Sequence, residues 1–123
     1  LSDYGDPTGP LRRVRYIGVD TPESVKPDTP VQCYGKEAAD ANRRLVDQKF
    51  VTVVFDEEHY DRYGRTLGYV YLDKKQMVNA TLLQDGYART IVVPPNTEHR
   101  KEFATLEKEA KRTNKGLWGA CDR

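Results

Sequence analysis

Cysteine and histidine are scarce in this chain, with two of each among 123 residues. Neither a CxxC nor an HxxxH spacing occurs, so a structural zinc site lacks its ligand framework. No apolar run approaches the roughly 18 residues that suggest a membrane span. Excess charge is lacking too: the formal net charge is +1. That excludes holding a polyanion by bulk charge alone. A protein that handles one must then use local Arg and Lys clusters, or a bound cation that the residue count misses. There is no internal repeat and no low-complexity tract.

What is present is ordinary for a soluble domain: 37% hydrophobic and 32% charged residues. The length suits one core, so residues 1–123 are read as a single domain. The chain starts at Leu1 rather than Met, and the expectation is that something upstream has been removed. Cys33 and Cys121 leave two readings open. Either they form a disulfide that ties the C-terminal tail to the body, or they are free thiols. The even count and a secreted context favour the bridge.

Residues 1–10, rich in Gly, Pro and Asp, read as a loop. LRRVRYIGV at 11–19 reads as a strand, with Val14, Tyr16 and Gly18 on one face and Arg13, Arg15 and Ile17 on the other. Three prolines make 20–33 a loop. Residues 34–47 predict a helix with a stripe of Ala38, Ala41 and Leu45. KFVTVVFD at 49–56 reads as a buried strand. RTLGYVYL at 65–72 alternates, with Leu67, Tyr69 and Tyr71 on one face. Residues 77–85 predict a short helix capped by Gly86, and 87–93 a strand stopped by Pro94 and Pro95. Residues 97–113 predict the longest helix, with Phe103, Leu106 and Ala110 facing inward and Gly116 after its end.

Three features carry possible chemistry. DTPE at 20–23 sets Asp20 and Glu23 on a proline-bent loop, where hard oxygen donors suit calcium or magnesium. Taken alone, the stretch reads better as a solvated acidic turn. Arg15 precedes it on the same strand–loop unit; alone, it is a surface arginine. DRYGR at 61–65 flanks Tyr63 with Arg62 and Arg65, which suits a phosphate and a ring together. Alone, it is a hairpin turn with exposed charges. Jointly the three match phosphodiester hydrolysis. Glu23 serves the attacking water, a cation at Asp20 polarises the phosphate, and Arg15 and Arg65 clamp its oxygens.

VRYIGVDTPES, YGKEAADANRRLV, DRYGRTLGYVY, MVNATLLQDGYA, PPNT and GLWG, in that order, resemble the staphylococcal-nuclease family from about Arg13 to Gly119. The resemblance implies an α+β OB-fold: a five-stranded Greek-key barrel with three helices. Only four strands are legible, so a fifth is expected before Leu1 or within the first ten residues, a truncated first strand. The resemblance also implies calcium-dependent cleavage of DNA and RNA that leaves 3′-phosphate ends. By the same resemblance Arg15, Glu23 and Arg65 are catalytic. Asp20 binds calcium through its carboxylate and Thr21 through its backbone carbonyl. Arg62 and Tyr63 contact a terminal phosphate. A secreted monomer is expected, with nucleic acid as substrate and no membrane partner.

Two departures stand out. The family's DGDT motif, which supplies a further calcium-ligand aspartate, is missing and is expected upstream of Leu1. At 88–97 the chain has Val92 and Val93 near where relatives carry base-flanking tyrosines, so stacking is expected to be weaker or to come from Tyr60 or Tyr87. A binding module that has lost catalysis is the rival reading, and a domain with merely solvated charged loops is the third. The full trio beside Asp20 argues for the enzyme.

Overall fold

A computed structural model describes residues 3–5, 11–22, 32–73 and 75–121. β1 (Asp3–Gly5) pairs antiparallel with β2 (Leu11–Tyr16). β2 then pairs in parallel with β5 (Thr66–Tyr71), Arg15 opposite Leu67. β5 pairs antiparallel with β4 (Thr52–Val54), giving the order β1-β2-β5-β4. A second ladder joins β3 (Val19–Asp20) to β6 (Arg89–Thr90). The fold is α+β with a mixed sheet. Among the described residues, these strands form two separate sheets rather than one closed barrel. Residues 3–5, within the stretch read as a loop, form a strand, in keeping with a further strand expected within the first ten residues. Three residues are too few to show alternation in sequence, and only pairing with β2 reveals them.

The expected strand at 11–19 is broken. Ile17 and Gly18 form a turn, with Gly18 at φ +79°. A side chain there would meet the Phe103 ring at 2.6 Å, so both the backbone angle and the space call for glycine. The turn resets the alternation. Val14 and Tyr16 are buried before it, and Ile17 and Val19 are buried within and after it.

The segment at 49–56 is an edge, not a buried strand. Among the described residues β4 has a strand partner only on its β5 side, and Phe50 is 84% exposed. Its β-branched composition fits a pleated surface, and composition does not say whether a second sheet covers that surface. The expected strand at 87–93 shrinks to β6, and Ile91, Val92 and Val93 lie exposed beyond it.

α1 (Gly35–Val46) buries Ala38 and Ala41, with Leu45 half-buried. α2 (Val78–Gln84) buries Val78, Leu82 and Leu83. Its cap is Asp85 rather than Gly86, which follows it and accepts a bond from the Leu117 amide at 2.8 Å. α3 (Arg100–Arg112) starts three residues later than expected and buries Phe103 and Ala110. A fourth, short helix, α4 (Leu117–Ala120), exceeds the three expected and seats Leu117 and Trp118 against Ala110.

The main core gathers Tyr16, Val19, Tyr69, Val70, Leu82, Leu83 and Phe103 where the sheets meet α2 and α3. Burying side chains of this kind stabilises by about 1.5–3 kcal/mol each. Within it Asn79 is fully buried. Its Oδ1 accepts from the Val70 amide at 2.9 Å, and its Nδ2 donates to the carbonyls of Ile17 (2.9 Å) and Gly68 (3.3 Å). One amide thus ties the β2–β3 turn to β5 from the first turn of α2. Of the two readings for the cysteines, the bridge holds: Cys33 and Cys121 form a disulfide across 88 positions.

Candidate active site

Arg15 sits on β2, half-buried, and its guanidinium donates to the Val19 carbonyl at 3.0 Å. That bond closes the Ile17–Gly18 turn and fixes where the chain leaves β3. Asp20 ends β3 with its side chain exposed, and Thr21 follows, half-buried. Glu23 lies outside the described residues, so its expected place beside Asp20 rests on chain continuity alone.

The second cluster comes from the loop before β5. Gly64, at φ +80° with open space around it, lets 61–65 turn tightly. Asp61 organises this loop. Its Oδ1 accepts from the amides of Tyr63 and Arg65, both at 2.9 Å. Its Oδ2 accepts from Arg65 Nε at 2.6 Å. The two guanidiniums flank one ring: Cζ of Arg62 lies 5.0 Å and Cζ of Arg65 5.5 Å from the Tyr63 centroid. Arg62 also donates to the Tyr63 hydroxyl at 3.0 Å. Tyr63 is 70% exposed and Arg65 only half so.

The parallel register brings the clusters together. Arg15 lies opposite Leu67, two residues past Arg65. Strand side chains alternate and paired residues share a face, so Arg15 and Leu67 lie on one face, and Arg65 stands in the loop that leads into it. The loop that carries Arg65 therefore enters β5 beside the Arg15 end of β2, with Asp20 leaving the same strand–turn unit as Arg15.

Burial pushes the Asp61 carboxyl up, but the Arg65 amide and guanidinium and the Tyr63 amide outweigh it and leave the group below its ordinary value. Asp56 behaves alike. Burial opposes ionisation, while the Tyr69 hydroxyl at 2.7 Å and the amides of Glu98 and Glu57 favour it, and the net shift is downward. Tyr69 is correspondingly pushed well up, by its burial first and by Asp56 next.

Asp61 is a functional residue that the sequence pattern does not single out. The signal it leaves is local: an aspartate opening a glycine turn and standing four residues before an arginine. Tyr87 is half-buried and stacked on Tyr34 with centroids 5.6 Å apart, whereas Tyr60 is 56% exposed. An open groove of about 720 Å³ between β5, α2 and α3, lined by Tyr71, Met77, His99 and Glu102, includes none of the expected site residues.

Residues 13–120 match the family described as Staphylococcal nuclease homologue. Over 113 residues the chain is 43% identical to the thermonuclease of Staphylococcus hyicus, covering 92% of this chain and 66% of that protein. It is also 43% identical to the thermonuclease of Staphylococcus intermedius, covering 67% of it. Over 107 residues it is 44% identical to endonuclease YncB of Bacillus subtilis, covering 85% of this chain and 50% of that protein. The chain thus spans between half and two thirds of the length of these relatives.

Proposed function

The chain belongs to the staphylococcal nuclease family, and from that premise we propose that it is a calcium-dependent nuclease that hydrolyses DNA and RNA to 3′-phosphate ends. The observation that carries the reading is the parallel register that sets Arg15 on β2 beside the start of β5, which Arg65 immediately precedes, with Asp20 ending the short strand that follows the turn after β2. The relatives named thermonuclease and endonuclease support it.

Among the described residues no cluster of three metal-ligating side chains occurs, so Asp20 and Thr21 would supply only part of a hard-cation site. Asp20 presents an exposed carboxylate, and the Thr21 carbonyl adds a second oxygen, the donor type that calcium prefers. Bound there, the ion would supply positive charge to a phosphate oxygen. The remaining roles fall to the chain's own residues. Glu23 takes a proton from the attacking water as the new P–O bond forms. Arg15 holds the non-bridging oxygens. The bond from phosphorus to the 5′ oxygen breaks, and Arg65 offsets the charge that develops there. Nε of Arg65 is engaged by Asp61, but a guanidinium carries five N–H donors and its other edge suits a phosphate. Arg62 and Tyr63 contact a terminal phosphate. The disulfide suits a secreted protein, and we propose a secreted monomer.

Cleavage of single-stranded DNA and RNA with calcium, magnesium or chelator tests this, together with the chemistry of the product ends. Calcium-dependent cleavage that yields 3′-phosphate and 5′-hydroxyl ends is expected. Glu23→Ala and Arg65→Ala, each folded, should slow it by about two to three orders of magnitude. Arg15→Lys should also be damaging, since an ammonium does not reproduce bidentate contact. Normal turnover in the folded variants would remove the site assignment. No cleavage by the folded protein would favour the binding module.

A further inference from the structure

The segment between β4 and β5 carries three aromatic rings that the proposed chemistry does not use. Phe55 and His59 stack face to face, with centroids 4.1 Å apart and planes within 10°. Tyr60 stands 6.3 Å from each, tilted against both. All three are exposed, Phe55 by 39% and Tyr60 by 56%. Rings that cluster on each other while still facing water present apolar faces that a further ring can cover.

The backbone beneath them is held on several sides. Asp56 accepts from Tyr69, Glu57 and Glu98. Asn96, itself buried, accepts from the Glu58 amide at 2.8 Å and donates to the Glu58 carbonyl at 2.9 Å. The His59 carbonyl accepts from the Leu67 amide at 2.8 Å, and Tyr60 bridges to Thr66. The rings are therefore pre-positioned, which lowers the ordering cost of whatever binds them. Tyr60 immediately precedes Asp61, so the cluster runs directly into the loop of Arg62, Tyr63 and Arg65.

We propose that Phe55, His59 and Tyr60 form a stacking platform for the unpaired bases of a single nucleic-acid strand, whose phosphates lie along Arg62 and Arg65. The proposal rests on the nuclease reading for its choice of ligand. Charge narrows the ligand further. Glu57 and Glu58 are exposed on the same segment and repel phosphates, so recognition there runs through ring faces. A single strand offers base faces to such rings; an intact duplex hides them in its own stack. The platform thus favours single strands over duplex, and strands of several nucleotides over a mononucleotide.

The test is equilibrium binding in chelator, followed by fluorescence anisotropy. The probes are a labelled thymidylate strand of about ten nucleotides, the matched duplex, and thymidine 3′,5′-bisphosphate as competitor. The double variant Phe55→Ala/Tyr60→Ala should bind the long single strand about tenfold more weakly, as expected for lost base stacking, and the bisphosphate as before. Phe55→Trp should retain strand binding, and its added fluorescence should be quenched by the strand. Unchanged strand affinity in the double variant, equal loss for strand and bisphosphate, or no quenching in Phe55→Trp would overturn the proposal. So would a change in sedimentation, because the rings would then be covering a second copy of the chain. A wild type that binds strands as described but cleaves none fails the nuclease reading and leaves the platform standing. Normal cleavage with an unaffected double variant does the reverse.

Discussion

Arg65 is held by Asp61 at 2.6 Å through Nε, and the same aspartate caps the backbone of the loop that carries the arginine. Position and orientation are thus fixed by one residue. In Asp61→Asn the amide oxygen can still accept from Tyr63 and Arg65 amides, but an Asn nitrogen cannot accept from Nε. The expected result is a fold destabilised by only about 1 kcal/mol. Turnover should fall by roughly tenfold or more, in kcat more than in KM, since the interaction lost serves the transition state. Steady-state kinetics beside a thermal melt checks both halves. A fall confined to KM would make Asp61 a binding residue instead.

Asn79 should be among the costliest polar residues to remove. Asn79→Ala leaves the Val70 amide and the Ile17 carbonyl without their partner inside the core. A loss of about 2–4 kcal/mol is expected, from lost bonds and stranded groups together. Urea denaturation measures it. A loss under about 0.5 kcal/mol, the range of ordinary surface substitutions, would show that water replaces the side chain.

Reducing the disulfide should lower stability by about 2–4 kcal/mol, because the reduced unfolded chain regains the freedom of a long loop. Melting with and without reductant gives the difference, and Cys33→Ser/Cys121→Ser should reproduce it.

Stability should fall on both sides of neutrality, for opposite reasons. Asp56 and Asp61 have folded-state pKa values below their unfolded ones. The stability they add is complete above the ordinary carboxylate value of about 4. It is lost as pH falls from there through their lowered values. Tyr69 is shifted upward. Its contribution is complete below the ordinary phenol value of about 10 and is lost as pH rises towards its raised value. Asp56→Asn should flatten the acid limb and lower the Tyr69 pKa. Ultraviolet phenolate titration follows the second effect, and an unmoved Tyr69 would contradict the pairing.

The helices were legible because apolar spacing survives in them: Ala38, Ala41, Phe103 and Ala110 all face inward as their periods require. The strands were less so, for identifiable reasons. Gly18 sits in a turn where the Phe103 ring, far along the chain, leaves no room for a side chain. β4 has the composition of a core strand but the position of an edge. At the site, the types and spacing of Arg15, Asp20 and Arg65 point to phosphate chemistry, while the approach of the Arg15 strand to the Arg65 loop depends on a parallel pairing that no local pattern encodes. Asn79 is equally silent in sequence, because a buried amide looks like any polar residue near a helix start.

The disulfide has a further consequence for the two arginines. The bridge makes everything from Cys33 to Cys121 one covalent ring. Arg65 lies within that ring, and Arg15 and Asp20 lie on the segment that precedes it. A protease that nicks the ring once releases no fragment until the bridge is reduced. A nick between Thr21 and Cys33 would instead leave the Arg15 strand held by sheet pairing and core contacts alone. The candidate site is therefore built across a seam between a locked part of the molecule and a detachable one.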